Sequence, residues 1–191
     1  PAFTISNTSI AISGITFQNC ANFNPSSGIG GALSASGSIV TVSNCNFLNN
    51  TAVTGGAIGM TSSSLTVSSS FFQNNTATCP NAASTTTACS AWGGAIGTVE
   101  APSVSLVDNS FSSNSVNLVL FGISSNTSKA AGGGGCISVM YNSNVSGSRV
   151  KIDGNVLQSC SVQMSGFNSY LGDLSYQLDL PYNISGIQYG N

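Results

Sequence analysis

Five segments of the chain share one spacing: two apolar residues stand one residue apart, and a third large apolar residue follows five positions after the second. They are Ile10-x-Ile12 with Phe17, Val40-x-Val42 with Phe47, Leu65-x-Val67 with Phe72, Val104-x-Leu106 with Phe111, and Val150-x-Ile152 with Leu157. The surrounding text repeats too: ISGITFQNC at 12–20 aligns with IDGNVLQSC at 152–160, and VSNCNFLNN at 42–50 with VSSSFFQNN at 67–75. Self-similarity of this kind marks a stack of like units, none of which buries its apolar face alone. Alternation places Val40 and Val42 on one face of a strand and Thr41 and Ser43 on the other. Stacking at strand spacing then aligns Phe17, Phe47, Phe72 and Phe111 as an internal aromatic ladder, with Leu157 next in line.

A second column lies between these segments: Gly30-Gly31-Ala32-Leu33, Gly55-Gly56-Ala57-Ile58, Gly93-Gly94-Ala95-Ile96 and Gly134-Gly135-Cys136-Ile137. Paired glycines suit a corner that needs positive φ or close backbone approach. Asn50, Asn75 and Asn114, each three residues after the Phe column, suit an amide ladder at another corner. Successive Phe-column residues are 30, 25, 39 and 46 apart, so the minimal coil is 25 residues and the excess falls in insertions such as 79–92 and 117–131. A loop-bearing edge is expected there. A globular β-sandwich also has short strands and turns, but the repeated register argues against it.

Composition agrees with strands rather than helices. Ser, Thr and Asn supply most of the polar surface, and they bond to nearby backbone at caps, turns and strands. With three Lys+Arg, five Asp+Glu, no His and a net charge of −2, the chain carries no electrostatic footprint for nucleic acid or an anionic membrane surface. The most apolar run, 116–123, is interrupted by Asn117 and too short to cross a bilayer, so no membrane insertion is expected. The first residue is Pro1, with no signal-peptide pattern, which suggests a mature form or a fragment.

With these columns aligned, the chain resembles the polymorphic outer membrane protein repeat, whose hallmarks are GGA[ILV] and FxxN. The matching residues are Gly31-Ala32-Leu33, Gly56-Ala57-Ile58 and Gly94-Ala95-Ile96, each preceded by Gly, and Phe47-Leu48-Asn49-Asn50, Phe72-Gln73-Asn74-Asn75 and Phe111-Ser112-Ser113-Asn114. The resemblance covers about residues 10–160, and similar repeats occur in large extracellular proteins of algae and other protists. It implies an all-β fold, a right-handed parallel β-helix of about five to six coils with loop insertions, in a surface or secreted adhesin or stalk. Cys20 and Cys160 stand in place of the Asn, Leu157 in place of Phe, and Cys136 in place of Ala; terminal coils of a solenoid are commonly atypical. Residues 1–160 are expected to form the repeats, and 161–191 a last irregular coil or cap of the same domain.

Six cysteines without His fit an oxidising compartment, so the protein is expected outside the cell or on its surface. Sequence leaves 15 connectivities open. Cys79 and Cys89 bracket one insertion and are the first candidate pair; Cys136 with Cys160 and Cys20 with Cys45 follow. A zinc site has no His and no CxxC pair to build on. Sequons at Asn7, Asn49, Asn74, Asn126, Asn144 and Asn183 are glycosylation candidates, although a chain this rich in Asn, Ser and Thr holds about as many by chance.

Many parallel β-helices are polysaccharide lyases or hydrolases, whose chemistry requires paired carboxylates or acidic calcium ligands beside a base. The acids here are Glu100, Asp108, Asp153, Asp173 and Asp179. Asp108 and Asp153 occupy different columns, and Lys151 beside Asp153 reads as a solvated ion pair. Phosphate loops, GxSxG elbows and calcium-binding nonapeptides are missing, so neither catalytic residues nor a cofactor are assigned. The outward row Ala11, Thr41, Thr66, Ser105 suggests a flat surface-binding module, for ice or glycan, but it ends at Lys151. Trp92 and Phe121, on insertion loops, are candidates for recognition, with buried packing the simpler alternative. The leading expectation is a non-catalytic structural or adhesive module, partnered by other subunits, by flanking coils, or by glycans.

Overall fold

The computed structural model describes residues 1–24, 28–79, 89–119, 130–141, 149–165 and 188–190. Among these residues every regular element is a strand, and the strands form four parallel sheets stacked coil upon coil. The protein is a parallel β-helix. Among the described residues its five coils comprise 3–22, 33–52, 58–78, 96–119, and 137–141 with 149–165.

Each coil contributes one strand to each sheet, in the same order. The first sheet holds Phe3–Ser6, Leu33–Ser36, Ile58–Thr61, Ile96–Ala101 and Ile137–Tyr141, and the second holds Ser9–Ser13, Ile39–Ser43, Ser64–Ser68, Ser103–Val107 and Arg149–Asp153. Thr16–Gln18, Asn46–Leu48, Phe71–Gln73, Ser110–Ser112 and Val156–Gln158 form the third, which Gln188–Gly190 extends by a sixth rung. The fourth contains Ala21–Asn22, Thr51–Ala52, Thr76–Thr78, Ser115–Val119 and Ser161–Ser165. Ser161–Ser165 therefore belongs to the regular stack, in register with Ser115–Val119, and the rest of the expected cap, apart from 188–190, lies outside the described residues. A further pair of strands, Cys89–Trp92 and Ala130–Gly133, forms where the two long insertions rejoin the stack.

Register explains the core. Ile10, Val40, Leu65, Val104 and Val150 share one inward column, and Ile12, Val42, Val67, Leu106 and Ile152 share the next. Val42, Val67 and Leu106 are fully buried, while Thr41 and Thr66, between the two columns, are exposed. The aromatic ladder is formed as expected. Phe17, Phe47, Phe72 and Phe111 stack with centroids 5.0, 4.7 and 4.7 Å apart and rings within 10° of parallel; Leu157 and then Tyr189 continue the register. Each stacked pair adds about 0.5–1.5 kcal/mol to what burial alone provides.

The glycine pair makes the corner between the fourth and first sheets. Gly30, Gly55, Gly93 and Gly134 have φ between 64° and 67°. The second glycine is required by crowding: a Cβ on Gly31, Gly56 or Gly94 would overlap the carbonyl oxygen of Gly56, Gly94 or Gly135 in the next coil.

Truncating a central rung of the ladder, Phe72→Ala, is expected to cost about 3–5 kcal/mol. Ile39→Ala, on an outward side chain 58% exposed, should cost no more than about 1 kcal/mol. Urea unfolding of both variants checks the inside-outside assignment.

Candidate functional site

The polar chemistry of this chain is concentrated at the corners, where the backbone leaves one sheet and enters the next. At each of the three corners that lack the glycine pair stands a residue with positive φ facing solvent, and in the three inner coils the residue after it is buried. The outward columns are Asn7, Gly37, Ser62 and Glu100; Gly14, Asn44, Ser69, Asp108 and Gly154; and Asn19, Asn49, Asn74, Ser113 and Ser159, all with φ between 48° and 68°. Asn, Asp and Gly tolerate this conformation best.

The inward residues form ladders. At the corner between the third and fourth sheets, the amide nitrogen of Asn50 donates to Asn75 Oδ1 (2.9 Å) and to the Phe17 carbonyl (3.1 Å). That of Asn75 donates in turn to Asn114 Oδ1 (2.9 Å) and the Phe47 carbonyl (2.9 Å). The backbone N–H groups of Cys20, Asn50 and Asn75 donate to Oδ1 of Asn50, Asn75 and Asn114 respectively. All three asparagines are fully buried.

A second ladder stands at the corner between the second and third sheets, where Cys45 N donates to Ser70 Oγ, Ser70 N to Asn109 Oδ1, and Asn109 N to Asn155 Oδ1. A hydroxyl version joins Thr8, Ser38 and Ser63 at the corner between the first and second sheets. Neither ladder is marked by a repeated residue type in the sequence. The signal was present: Cys45, Ser70, Asn109 and Asn155 each lie two residues before the Phe column. Because Ser, Cys and Asn alternate there, no repeated letter marks the column.

The cysteines resolve differently from one another. Cys136 and Cys160 form a disulfide with Cα atoms 5.2 Å apart. Two of the departures from the repeat are thus the halves of one bond, Cys136 standing in the Ala column of the glycine corner and Cys160 in the Asn column. Closing a loop with a sequence separation of 24 contributes about 3–4 kcal/mol through the unfolded chain. Cys79 is disulfide-bonded, whereas the side chain of Cys89 lies outside the described residues, and the expected pairing with it does too. The expected Cys20–Cys45 bond does not form, and both thiols are free. Thr16 is level with Asn46, so Cys45 stands level with Ile15, five residues before Cys20. The strand Thr16–Gln18 and the corner at Asn19 therefore separate the two cysteines, whereas a disulfide requires Cα atoms within about 7 Å.

The described acids do not converge. Glu100 accepts a hydrogen bond from Ser62 Oγ (3.2 Å) at one corner, Asp108 lies over Gly154 at another, and Asp153 pairs with Lys151 at 3.8 Å, both well exposed. Asp173 and Asp179 lie outside the described residues. Among the described residues no three His, Cys, Asp or Glu side chains could hold a metal ion, and no helix is long and apolar enough to cross a membrane.

Sequon residues Asn7, Asn49 and Asn74 are exposed corner residues, the last two adjacent in one column; Asn126, Asn144 and Asn183 lie outside the described residues. Trp92 is half-buried, its indole against Gly133 of the next coil, and Phe121 lies outside the described residues. The row Ala11, Thr41, Thr66, Ser105, Lys151 is continuous across the second sheet. Compared with known proteins, the chain matches no family model, no curated protein and no solved structure.

Asn75→Ala strands the Asn50 N–H and the Phe47 carbonyl and should cost about 2–4 kcal/mol. Asn74→Gly, one residue earlier, should be close to neutral in the same unfolding measurement. For the cysteines, alkylation of the native protein is expected to label Cys20 and to reach Cys45 only after unfolding. Unreduced peptide mapping should recover Cys136 and Cys160 in one fragment; a Cys20–Cys45 fragment would contradict the assignment.

Proposed function

We propose that the protein is a structural or adhesive β-helix module acting outside the cell or at its surface, working by shape and presented surface rather than by catalysis. The observation that carries this reading is where the chain places its polar groups: its asparagine and serine ladders are buried and bind coil to coil, producing a stiff stack. The Cys136–Cys160 disulfide supports an oxidising location, and the GGA[ILV] and FxxN columns support kinship with surface-protein repeats. Other subunits or flanking coils are the proposed partners, with glycans as further ligands. The separation of the described acids Glu100, Asp108 and Asp153 counts against a polysaccharide lyase or hydrolase, and Lys151 interrupts the flat hydroxyl row that an ice-binding face would need.

Antibody labelling of intact cells that make the protein should detect it at the surface or in the surrounding medium. The purified chain should release no products from acidic polysaccharides. Detection inside the cell only, or turnover of such a polymer, would overturn the proposal.

A further inference from the structure

The corner between the third and fourth sheets is built in one way through coils 2, 3 and 4 and in another way in coil 5. Asn50 donates to Asn75 and Asn75 to Asn114, both at 2.9 Å. Coil 5 places Cys160 where the next asparagine would stand, and Cys160 is bonded to Cys136. The Asn114 amide has no Oδ1 ahead of it and donates instead to Cys136 Sγ, 3.6 Å away. A covalent bond has taken the place of an amide rung.

This bond also closes coil 5 upon itself. Cys136 immediately precedes the first-sheet strand Ile137–Tyr141, and Cys160 lies between Val156–Gln158 of the third sheet and Ser161–Ser165 of the fourth. The ring therefore encloses three of the coil's four strands. Its two sulfurs are unequal in access, since Cys136 is only 2% exposed whereas Cys160 lies at the surface. Cys45 is a free, buried thiol at another corner, and coils stack on both sides of it. A cysteine without a bond is thus compatible with stacking, and what the bond adds is resistance to opening.

We propose that Cys136–Cys160 is a redox-sensitive clasp, closed in oxidising surroundings, that governs how readily coil 5 opens from the stack. A thiolate of the medium attacks the exposed Cys160 sulfur, the S–S bond breaks, and Cys136 leaves as a thiolate that takes up a proton. A second thiolate then attacks the medium's sulfur in the mixed disulfide and releases Cys160. Two electrons pass to the protein, and the two medium thiols end joined as a disulfide. Opening of coil 5 uncovers the strands Ser103–Val107 and Ser110–Ser112, which pair with Arg149–Asp153 and Val156–Gln158. Unpaired edges of this kind are templates for another strand, and the closed clasp keeps them covered.

Hydrogen exchange of the full 191-residue chain, read by mass spectrometry with and without dithiothreitol, tests this. Amides at 150–152 and 156–158 should exchange about a hundredfold faster after reduction, while those at 40–42 and 65–67 keep their rates. Cys136→Ser with Cys160→Ser should match the reduced wild type with no reductant present, which separates the clasp from the bond that Cys79 makes. Cys136→Ala with Cys160→Asn restores the residues of the repeat, and its coil 5 should exchange about tenfold more slowly than that of the double serine variant. Exchange in coil 5 that ignores reduction, an equal loss of protection in every coil, or a response to dithiothreitol that persists in the double serine variant would overturn the proposal. An alanine–asparagine variant no better protected than the serine one would overturn the equivalence of bond and rung. The clasp goes beyond the proposed function and fails separately from it: a surface protein whose coil 5 ignores reduction loses the clasp alone, and a protein found only inside the cell loses the proposed location whatever the exchange result.

Discussion

At eight described corner positions a backbone N–H points toward the next coil, and a buried serine or asparagine oxygen there accepts it. The rest of the structure depends on this requirement. A parallel strand pair satisfies itself along its length, but a coil must turn sharply to feed the next sheet, and at each turn the ladder of backbone bonds is interrupted. An unpaired N–H in the interior costs about 1–3 kcal/mol, and a five-coil stack repeats the problem at every rung. Asn50, Asn75 and Asn114 meet it with an amide whose oxygen accepts from the coil before and whose nitrogen reaches two further acceptors. Serine meets it with a hydroxyl that accepts from the neighbour and donates to its own strand, as Ser70 does to the Ser68 carbonyl at 2.8 Å.

These ladders fix the register, and register makes the core. A slip of one residue in a strand would exchange its inward and outward faces, moving Val42 to solvent and Thr41 inside. Because the ladder position, the inward pair and the Phe column lie at fixed offsets within the coil, one register satisfies all of them together. The glycine corner follows another logic. It brings backbone against backbone, so the stack closes there by excluding side chains rather than by matching them.

Where a column repeats one residue type, it was legible in the sequence. The Phe column, the paired glycines and the Asn50–Asn75–Asn114 ladder stand out in the sequence as structural columns, and they are columns of the fold. The ladder through Ser70, Asn109 and Asn155 was not, because different side chains perform the same service there and the shared property is an acceptor oxygen at a given depth. The Cys136–Cys160 disulfide is among the candidate pairs that the sequence offers and it forms, but spacing ranks it behind Cys79 with Cys89, because adjacency of the Ala and Asn columns across one coil is a property of the closed turn. Cys20 follows the third-sheet strand of coil 1 whereas Cys45 precedes the neighbouring strand of coil 2, so they stand at opposite ends of that sheet, a separation that spacing alone does not reveal. Function was less legible than fold: the side chains that characterise this chain are engaged in holding it together, and its surface chemistry is sparse.

The buried amide ladder is the central claim, and hydrogen exchange of its side-chain protons observed by NMR tests it most directly. The Nδ2 protons of Asn50, Asn75 and Asn114 should exchange orders of magnitude more slowly than those of their exposed neighbours Asn49 and Asn74, and those of Asn75 should show contacts to the Phe47 backbone. Equal, rapid exchange at buried and exposed positions would contradict the ladder and the register built upon it.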